Sequence, residues 1–462
     1  MIEAYWKEPL ITQYCGNAIE VLAALPEGIA QCVVTSPPYW GLRKYAGEQD
    51  LIWGNVDHCE HEWQEVHPAG YRSSDTNAGA LQSIATQNRN DPTSNICLKC
   101  GCWRGAYGLE PSVEMYVDHT IEILRAIRRV LRKDGVVFWN VGDSYAGGKG
   151  QSGQPMSAAE QDMRYQSGES INRACHQMEM STRPSNDLKA LRDCNLKPKD
   201  LCLIPFRVAL AAQADGWWVR SVIIWSKANP MPESVRDRPT ESHEYILMLT
   251  KSAKYYCDQE AVREPQTGNA HSRGTAPGDA AYQEARGSYQ GFSRPKSVLP
   301  SGRNIRTVWN INTQPFKGSH FATFPEELAK RCILAATSEK GNCSKCGKPW
   351  VRIVERTRTF QSGSGKAGHK PSGKWDDAQC AGSLEDDIRS GPCVSTQTLG
   401  WQPTCFCESS TEPALVLDPF SGSGTTGAVA KKLGRQAILI DTSEQYCDLA
   451  IERIAKVPPP LF

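Results

Sequence analysis

The chain carries almost no net charge: 52 Lys and Arg stand against 51 Asp and Glu over 462 residues, a formal +1. A globally basic nucleic-acid coat is thereby excluded, and any polyanion must be met by local patches. No apolar run approaches the length of a membrane span, and the N-terminus lacks the basic-then-apolar pattern of an export signal. The expectation is a cytoplasmic protein with no membrane partner. A mean hydropathy of -0.48 with 40% hydrophobic residues allows a large α/β domain carrying polar insertions.

A disulfide scaffold is disfavoured despite 18 cysteines, because the cytoplasm keeps thiols reduced and clustered cysteines there point to metal. Cys97-Leu98-Lys99-Cys100-Gly101 and Cys343-Ser344-Lys345-Cys346-Gly347 share the pattern Cys-x-Lys-Cys-Gly, with Trp103 and Trp350 close behind. Each pair supplies half of a tetrahedral zinc site. Cys405 and Cys407 complete one set of four thiolates, although 58 residues separate the halves. Cys59 and His61 are the first-choice partners of Cys97 and Cys100, with His58 and Cys102 as rivals. Buried free thiols are the alternative.

Around these pairs the chain alternates strands and helices. Residues 18–25 read as a short helix capped by Asn17, and 30–34 as a strand. From Ser112, Val113, Val117, Leu124, Ile127 and Leu131 recur at helical spacing. Arg125, Arg128, Arg129 and Arg132 read as the solvated face of that helix. Asp134-Gly135 is predicted to end it before a strand over 136–140. A helix over 200–214, strands over 217–225 and 244–249, and a helix over 325–336 follow. Residues 147–198 give no periodicity. Residues 259–306 carry seven Lys/Arg against four Asp/Glu, interleaved with Tyr282, Tyr289 and Phe292. At the end, 415–418, 425–433, 436–441 and 443–454 form a β-α-β-α unit, the signature of a parallel sheet.

Two stretches carry chemistry. Thr35-Ser36-Pro37-Pro38-Tyr39-Trp40-Gly41 stops the 30–34 strand, because two prolines delete two N–H donors. The carbonyls of Ser36 and Pro37 are then free for a ligand, beside a hydroxyl and an aromatic face. That suits a flat ring bearing an amino group. A surface turn fits the same residues when they are taken alone. In Asp418-Pro419-Phe420-Ser421-Gly422-Ser423-Gly424-Thr425-Thr426-Gly427, Gly422, Gly424 and Gly427 satisfy G-x-G-x-x-G, and Asp441 lies 19 residues after Gly422. Strand, glycine turn, helix and distal acid suit a nucleoside-bearing cofactor, NAD-like or S-adenosylmethionine-like.

With both stretches in place the chain resembles the β-class DNA amino-methyltransferases, the N4-cytosine and N6-adenine enzymes. Their catalytic motif is S/D/N-P-P-Y/F/W, and their F-x-G-x-G-T cofactor motif comes late in the chain. Ser36-Pro37-Pro38-Tyr39 and Phe420-Ser421-Gly422-Ser423-Gly424-Thr425 stand in that order. Tyr14-Cys15-Gly16-Asn17-Ala18 resembles the segment that meets the cofactor's adenine, though the family often has an acid where Asn17 stands. Ile224-Trp225-Ser226-Lys227 through His243-Glu244 resembles the target-pocket region. Trp309-Asn310-Ile311, His320 and Phe324-Pro325 resemble the segment flanking the cofactor's methionine end.

The resemblance implies an α/β, Rossmann-like S-adenosylmethionine-dependent methyltransferase core, circularly permuted, with zinc-ribbon-like insertions. Residues 1–46 and 104–258 would be its catalytic part, and 307–342 with 408–456 its cofactor part. Residues 47–103 and 343–407 would be the insertions, and 259–306 the target-recognition segment. It implies catalysis by Ser36, Pro37, Pro38 and Tyr39, and cofactor contacts from Asn17, His320, Asp418, Phe420, Gly422, Gly424, Thr425 and Asp441. Zinc would be structural. Double-stranded DNA is the implied partner, with room for a homodimer and a cognate restriction enzyme. Cytosine N4 is the favoured target because serine before Pro-Pro-Tyr is commoner in the N4 enzymes. Adenine N6 is the alternative. More distant readings are an RNA or protein-amide methyltransferase, an NAD-dependent oxidoreductase, and a non-catalytic zinc-ribbon DNA-binding protein.

Overall fold

The computed structural model describes residues 2–41, 50–54, 58–63, 95–146, 196–197, 199–230, 232–264, 303–314, 324–359 and 393–458. His320, Tyr282, Tyr289 and Phe292 lie outside these residues. The chain divides into two units: Met1–Tyr256 with Thr307–Thr337 and Pro413–Phe462, and Cys257–Arg306 with Ser338–Glu412. The described residues of the stretch expected as the first insertion fall in the first unit, and those of the expected recognition segment and second insertion fall in the other.

The first unit opens with β1 (Trp6–Lys7), β2 (Ile11–Cys15), α1 (Ala18–Ala24) and β3 (Ala30–Thr35). The hairpin β4 (Asp50–Trp53) and β5 (Trp103–Ala106) comes next, then α2 (Val113–Val130) and β6 (Leu131–Val141). After α3 (Ile204–Ala214) come β7 (Trp218–Ser226), β8 (His243–Thr250), β9 (Val308–Asn310) and α4 (Glu326–Ala336). The second unit holds β10 (Asn342–Cys343), β11 (Val351–Thr359), β12 (Cys393–Gln402) and β13 (Thr411–Glu412). The first unit closes with β14 (Leu415–Asp418), α5 (Thr425–Lys432), β15 (Gln436–Asp441) and α6 (Glu444–Ala455).

One nine-stranded sheet runs through the first unit in the order β1-β2-β15-β14-β3-β6-β8-β7-β9. The five strands from β2 to β6 are mutually parallel, while β8 lies antiparallel to both β6 and β7. A parallel strand covered on both faces must be apolar along its whole length, and every residue of β3 is buried. In the second unit β10 pairs with β13 and β11 with β12, both antiparallel. Among the described residues no helix is long and apolar enough to cross a membrane.

Three expectations change. Helix α2 ends at Val130 rather than at Asp134-Gly135, because Leu131 is drawn into the sheet opposite Ala30 and is fully buried there. Helix α3 starts at Ile204, not Asp200; the Asp143 carboxylate accepts from the Ile204 N–H at 3.1 Å and caps it from outside the helix. The arginines of α2 are not merely a solvated face. Arg129 donates to the carbonyls of Leu22, Ala23 and Leu25, and so caps the C-terminal end of α1. Arg128 does the same at the end of α3, donating to Asp215 O at 2.9 Å and Gly216 O at 3.2 Å, while Arg125 pairs with the Asp215 carboxylate at 2.6 Å. Cationic groups at helix C-termini also oppose the negative end of the helix dipole.

Candidate active site

Strands β3 and β14 are hydrogen-bonded neighbours, with Cys32 opposite Val416 and Val33 opposite Leu417. Their C-terminal ends therefore deliver Ser36-Pro37-Pro38-Tyr39 and Pro419-Phe420-Ser421-Gly422 to the same edge of the sheet, where ligands bind in open parallel sheets. Asp418 locks this pairing. It is fully buried; Oδ1 accepts from the Thr35 hydroxyl at 2.7 Å and the Phe420 N–H at 3.1 Å, and Oδ2 accepts from the Thr426 hydroxyl at 2.7 Å. Burial pushes its carboxyl up to about 6, against the downward pull of the Thr426 and Thr35 hydroxyls. Asp418 thus sits beneath the pocket and holds its two lips together, rather than facing into it.

The pocket above is lined by Ser36, Pro38, Asn17, Phe420, Gly422 and Asp441 among others. Ser36 donates its hydroxyl proton to the Tyr39 hydroxyl at 3.2 Å, and Tyr39 donates to Glu244 Oε2 at 2.6 Å. Asn140, at the C-terminal end of β6, donates from Nδ2 to Tyr39 at 2.9 Å, Glu244 at 3.0 Å and Ser36 at 3.3 Å. Lys227 neutralises the other oxygen of Glu244 and lies 4.8 Å from the centre of the Trp225 ring. Ser36 gives its proton to this chain and also lines the pocket, so its oxygen keeps a lone pair with which to accept from a donor there. The Pro38 carbonyl is taken by the Tyr116 hydroxyl at 3.0 Å. The Pro37 carbonyl has no hydrogen-bond partner among the described residues. One edge of the Tyr39 ring packs on Gly142, where a Cβ would stand 2.8 Å from Cε2.

On the other lip the three glycines divide their work. Gly422 has φ +47°, and a Cβ there would meet nothing within 4 Å, so the backbone is open to a ligand. At Gly424, φ +72°, a Cβ would lie 2.7 Å from the Ala450 Cβ of α6, and at Gly427 it would lie 2.5 Å from Leu439. Those two serve close packing behind the pocket. Thr425 lines the pocket, and its hydroxyl accepts from Arg453 at 2.8 Å, as Ser423 does at 3.2 Å. Asp441 faces the pocket from the end of β15, while its oxygens accept from the Gly422 and Ser443 N–H groups at 2.8 and 3.0 Å. Burial raises its carboxyl to about 6, moderated by those same backbone donors. Asn17 is the N-cap of α1: its Oδ1 accepts from Ile19 at 2.8 Å and Glu20 at 3.3 Å, which leaves its amide N–H groups for a ligand.

Both expected cysteine sets come together, each within its own unit. The ligand atoms of Cys59, His61, Cys97 and Cys100 lie within 4.8 Å of one another, as do those of Cys343, Cys346, Cys405 and Cys407. Thiolates at ~2.3 Å from a tetrahedral zinc stand ~3.8 Å apart. The Cys59–Cys97 sulfurs are 3.9 Å apart and Cys100 Sγ is 3.4 Å from His61 Nδ1, so this donor set fits zinc. The rival ligand Cys102 instead turns its thiol onto the Gly54 carbonyl at 2.7 Å, and His58 is not in the group. In the second set the Ser409 hydroxyl, then the Cys346 N–H, hold the Cys343 thiol below its ordinary range.

Sequence reasoning left Glu244, Asn140 and Arg453 unassigned. The first two carried a signal: a polar residue closing an apolar central strand, and a carboxylate in a stretch already marked for the target pocket. Arg453 had none, since it looks like one more cation in a surface helix.

A family model described as DNA methylase, for N6 and N4 methyltransferases, matches residues 30–344 and 405–452. The Type II methyltransferase M.SmaI of Serratia marcescens is 31% identical over 96% of this chain and 89% of its own length. M.Cfr9I of Citrobacter freundii is 30% identical over 96% and 87%. The solved PvuII DNA methyltransferase, cytosine-N4-specific, aligns with 98% of this chain and 88% of its own at 13% identity and a TM-score of 0.43, a likeness too remote to carry any part of the assignment. The family model and the near full-length relatives place this chain in the DNA methylase family, as a DNA methyltransferase of the N6/N4 group.

Proposed function

We propose that the chain transfers a methyl group from S-adenosylmethionine to the exocyclic amine of a base flipped out of double-stranded DNA, cytosine N4 in preference to adenine N6. The observation that carries this reading is the direction of the Ser36–Tyr39–Glu244 hydrogen bonds. An exocyclic amine is conjugated with its ring and is a poor nucleophile. Ser36 Oγ and the Pro37 carbonyl, both acceptors, take its two N–H bonds and pull it toward a tetrahedral shape. Glu244 and Asn140 hold the Tyr39 hydroxyl, which keeps the Ser36 proton turned away from the amine. The Tyr39 ring stacks on the base and offsets part of the few kcal/mol that unstacking costs; base–aromatic stacking contributes about 1–3 kcal/mol.

When bound, S-adenosylmethionine supplies an electrophilic sulfonium methyl. Asp441 is assigned to the ribose hydroxyls, the open Gly422 backbone and Thr425 to the methionine portion, and Asn17 and Phe420 to the adenine side and floor. A neutral serine acceptor in place of a carboxylate favours N4 through the family resemblance. The relatives are Type II methyltransferases, and we read this chain likewise as the cytoplasmic modification partner of a cognate restriction enzyme. The test is incubation of DNA with methyl-labelled S-adenosylmethionine: label should enter the DNA. Retention of NAD and no transfer would instead favour the oxidoreductase reading.

Both cysteine sets are proposed as structural zinc sites. Two zinc ions per chain are expected from elemental analysis of the purified protein, and none after prolonged chelation. Finding no zinc before chelation would dispose of both ribbons.

A further inference from the structure

The two cysteine sets are not equivalent in where they lead. The second lies with β10 and β13 in the smaller unit. The first ties together the two sides of a hairpin that forms part of the pocket. Cys97 bridges to Trp63, and its N–H donates to Cys102 O at 2.8 Å. Cys102 then anchors Gly54 through its thiol. Gly54 follows Trp53, and Trp53 and Leu51 of β4 both line the pocket. Trp53 is held opposite Trp103 of β5 and donates from Nε1 to Gly105 O at 2.9 Å.

From there the contacts run on to the catalytic loop. Trp53 and Trp103 lie 4.3 and 5.6 Å from the ring of His119, near-parallel to it. Buried His119 meets Glu110 Oε1 at 3.0 Å, and Glu110 Oε2 accepts from the Gly108 N–H at 2.8 Å. Gly108 O accepts from the Gly41 N–H at 2.8 Å, and a Cβ on Gly108 would stand 3.0 Å from the Pro38 Cβ. Trp40 donates from Nε1 to the Glu110 carbonyl at 2.9 Å. The backbone that follows Ser36-Pro37-Pro38-Tyr39 is therefore held by a turn whose other side rests on the hairpin.

We propose that the metal set Cys59, His61, Cys97 and Cys100 is a positioning device for the active site: it fixes the Leu51/Trp53 wall and, through Glu110, the catalytic loop. The proposal rests on the zinc and S-adenosylmethionine readings above. Its physical basis is that a metal held by ligands from both sides of the hairpin ties those sides to one another, since binding at such a site is coupled to local folding. A displacement of ~1 Å at a reacting geometry costs on the order of a hundredfold in rate.

The test compares Cys100→Ser, Cys346→Ser and Trp53→Leu in the full chain, with zinc by elemental analysis, cofactor affinity by calorimetric titration, and methyl transfer to DNA. Wild type should hold two zinc ions. Cys100→Ser should lose one, bind S-adenosylmethionine roughly tenfold more weakly and transfer methyl roughly a hundredfold more slowly. Cys346→Ser should also lose one but bind the cofactor within about twofold of wild type, which a uniform structural role for zinc would not give. Trp53→Leu keeps all eight ligands, so it should retain both ions yet share the cofactor defect, and it stands in for Cys100→Ser should that variant not fold. A Cys100→Ser protein that lacks one zinc but binds and transfers as wild type overturns the proposal, as does a Trp53→Leu protein with wild-type affinity. A wild-type protein without zinc overturns the metal reading itself, and Trp53→Leu then still reports on the pocket wall.

Discussion

Ser36→Ala should lower methyl transfer roughly a hundredfold to a thousandfold, the scale seen when one preorganised polar group is removed from a reacting centre, while cofactor affinity stays within about twofold. The hydroxyl is the one side-chain acceptor placed at the pocket by the Tyr39–Glu244 chain, and alanine leaves the amine with the Pro37 carbonyl alone. Tyr39→Ala should fail as badly, because it removes the stacking face and also frees the Ser36 proton to rotate toward the amine. Tyr39→Phe separates these effects: it keeps the ring, loses the bond to Glu244, and should fall between wild type and Tyr39→Ala. Calorimetric titration with S-adenosylmethionine checks the division of labour. If affinity falls in parallel with rate in Ser36→Ala, the residue belongs to the cofactor and the assignment is wrong.

Asp441→Ala should show the opposite pattern. A charged hydrogen bond is worth roughly 1.5–3 kcal/mol, so the dissociation constant should rise about 10- to 150-fold. The substitution also strips the Gly422 and Ser443 N–H groups of their acceptor, so the loop loosens as the contact is lost. The pH dependence follows from burial. The carboxyl is raised to about 6, and ribose hydroxyls favour its ionised form. Affinity is then full above about pH 7 and falls as pH drops through 6, by about tenfold per unit below it. Asp418 titrates in the same range, so the comparison that matters is Asp441→Asn. That variant should bind weakly at every pH and lack the part of the profile that belongs to Asp441. A wild-type affinity flat from pH 5 to 8 would place the ribose elsewhere.

Much of the core was legible in the sequence because its strands are apolar along their whole length and bounded by turn residues. The strands Leu415–Asp418 and Gln436–Asp441 fall where the alternation of apolar run and glycine turn puts them, and Asn17 caps α1 as its position before an apolar-periodic run requires. Boundaries failed where a distant element decides them. Leu131 leaves the α2 pattern because Ala30 of β3 recruits it, and Ile204 begins α3 because Asp143 is there to cap it. Neither partner is local.

The same division runs through the site. Contiguous motifs announced Ser36 and Gly422, but Asn140 and Glu244 reach Tyr39 only because β6 lies between β3 and β8 in the sheet. The glycine motif showed three glycines of equal standing, and only packing against Ala450 and Leu439 tells that two of them face the core. The cysteine spacing paired Cys97 with Cys100 and put Cys59 and His61 ahead of His58 and Cys102; the structure brings those four together and turns the Cys102 thiol onto the Gly54 carbonyl.

Nucleoside mass spectrometry of DNA incubated with the protein and S-adenosylmethionine tests substrate, reaction and target atom at once. N4-methylcytosine is the expected product, a choice that rests on the family resemblance, and it should be absent with Ser36→Ala. N6-methyladenine without N4-methylcytosine would overturn the choice of base and leave the mechanism standing. DNA methylated only at a ring carbon, or not at all by a protein that binds the cofactor, would contradict the central claim that this pocket activates an exocyclic amine.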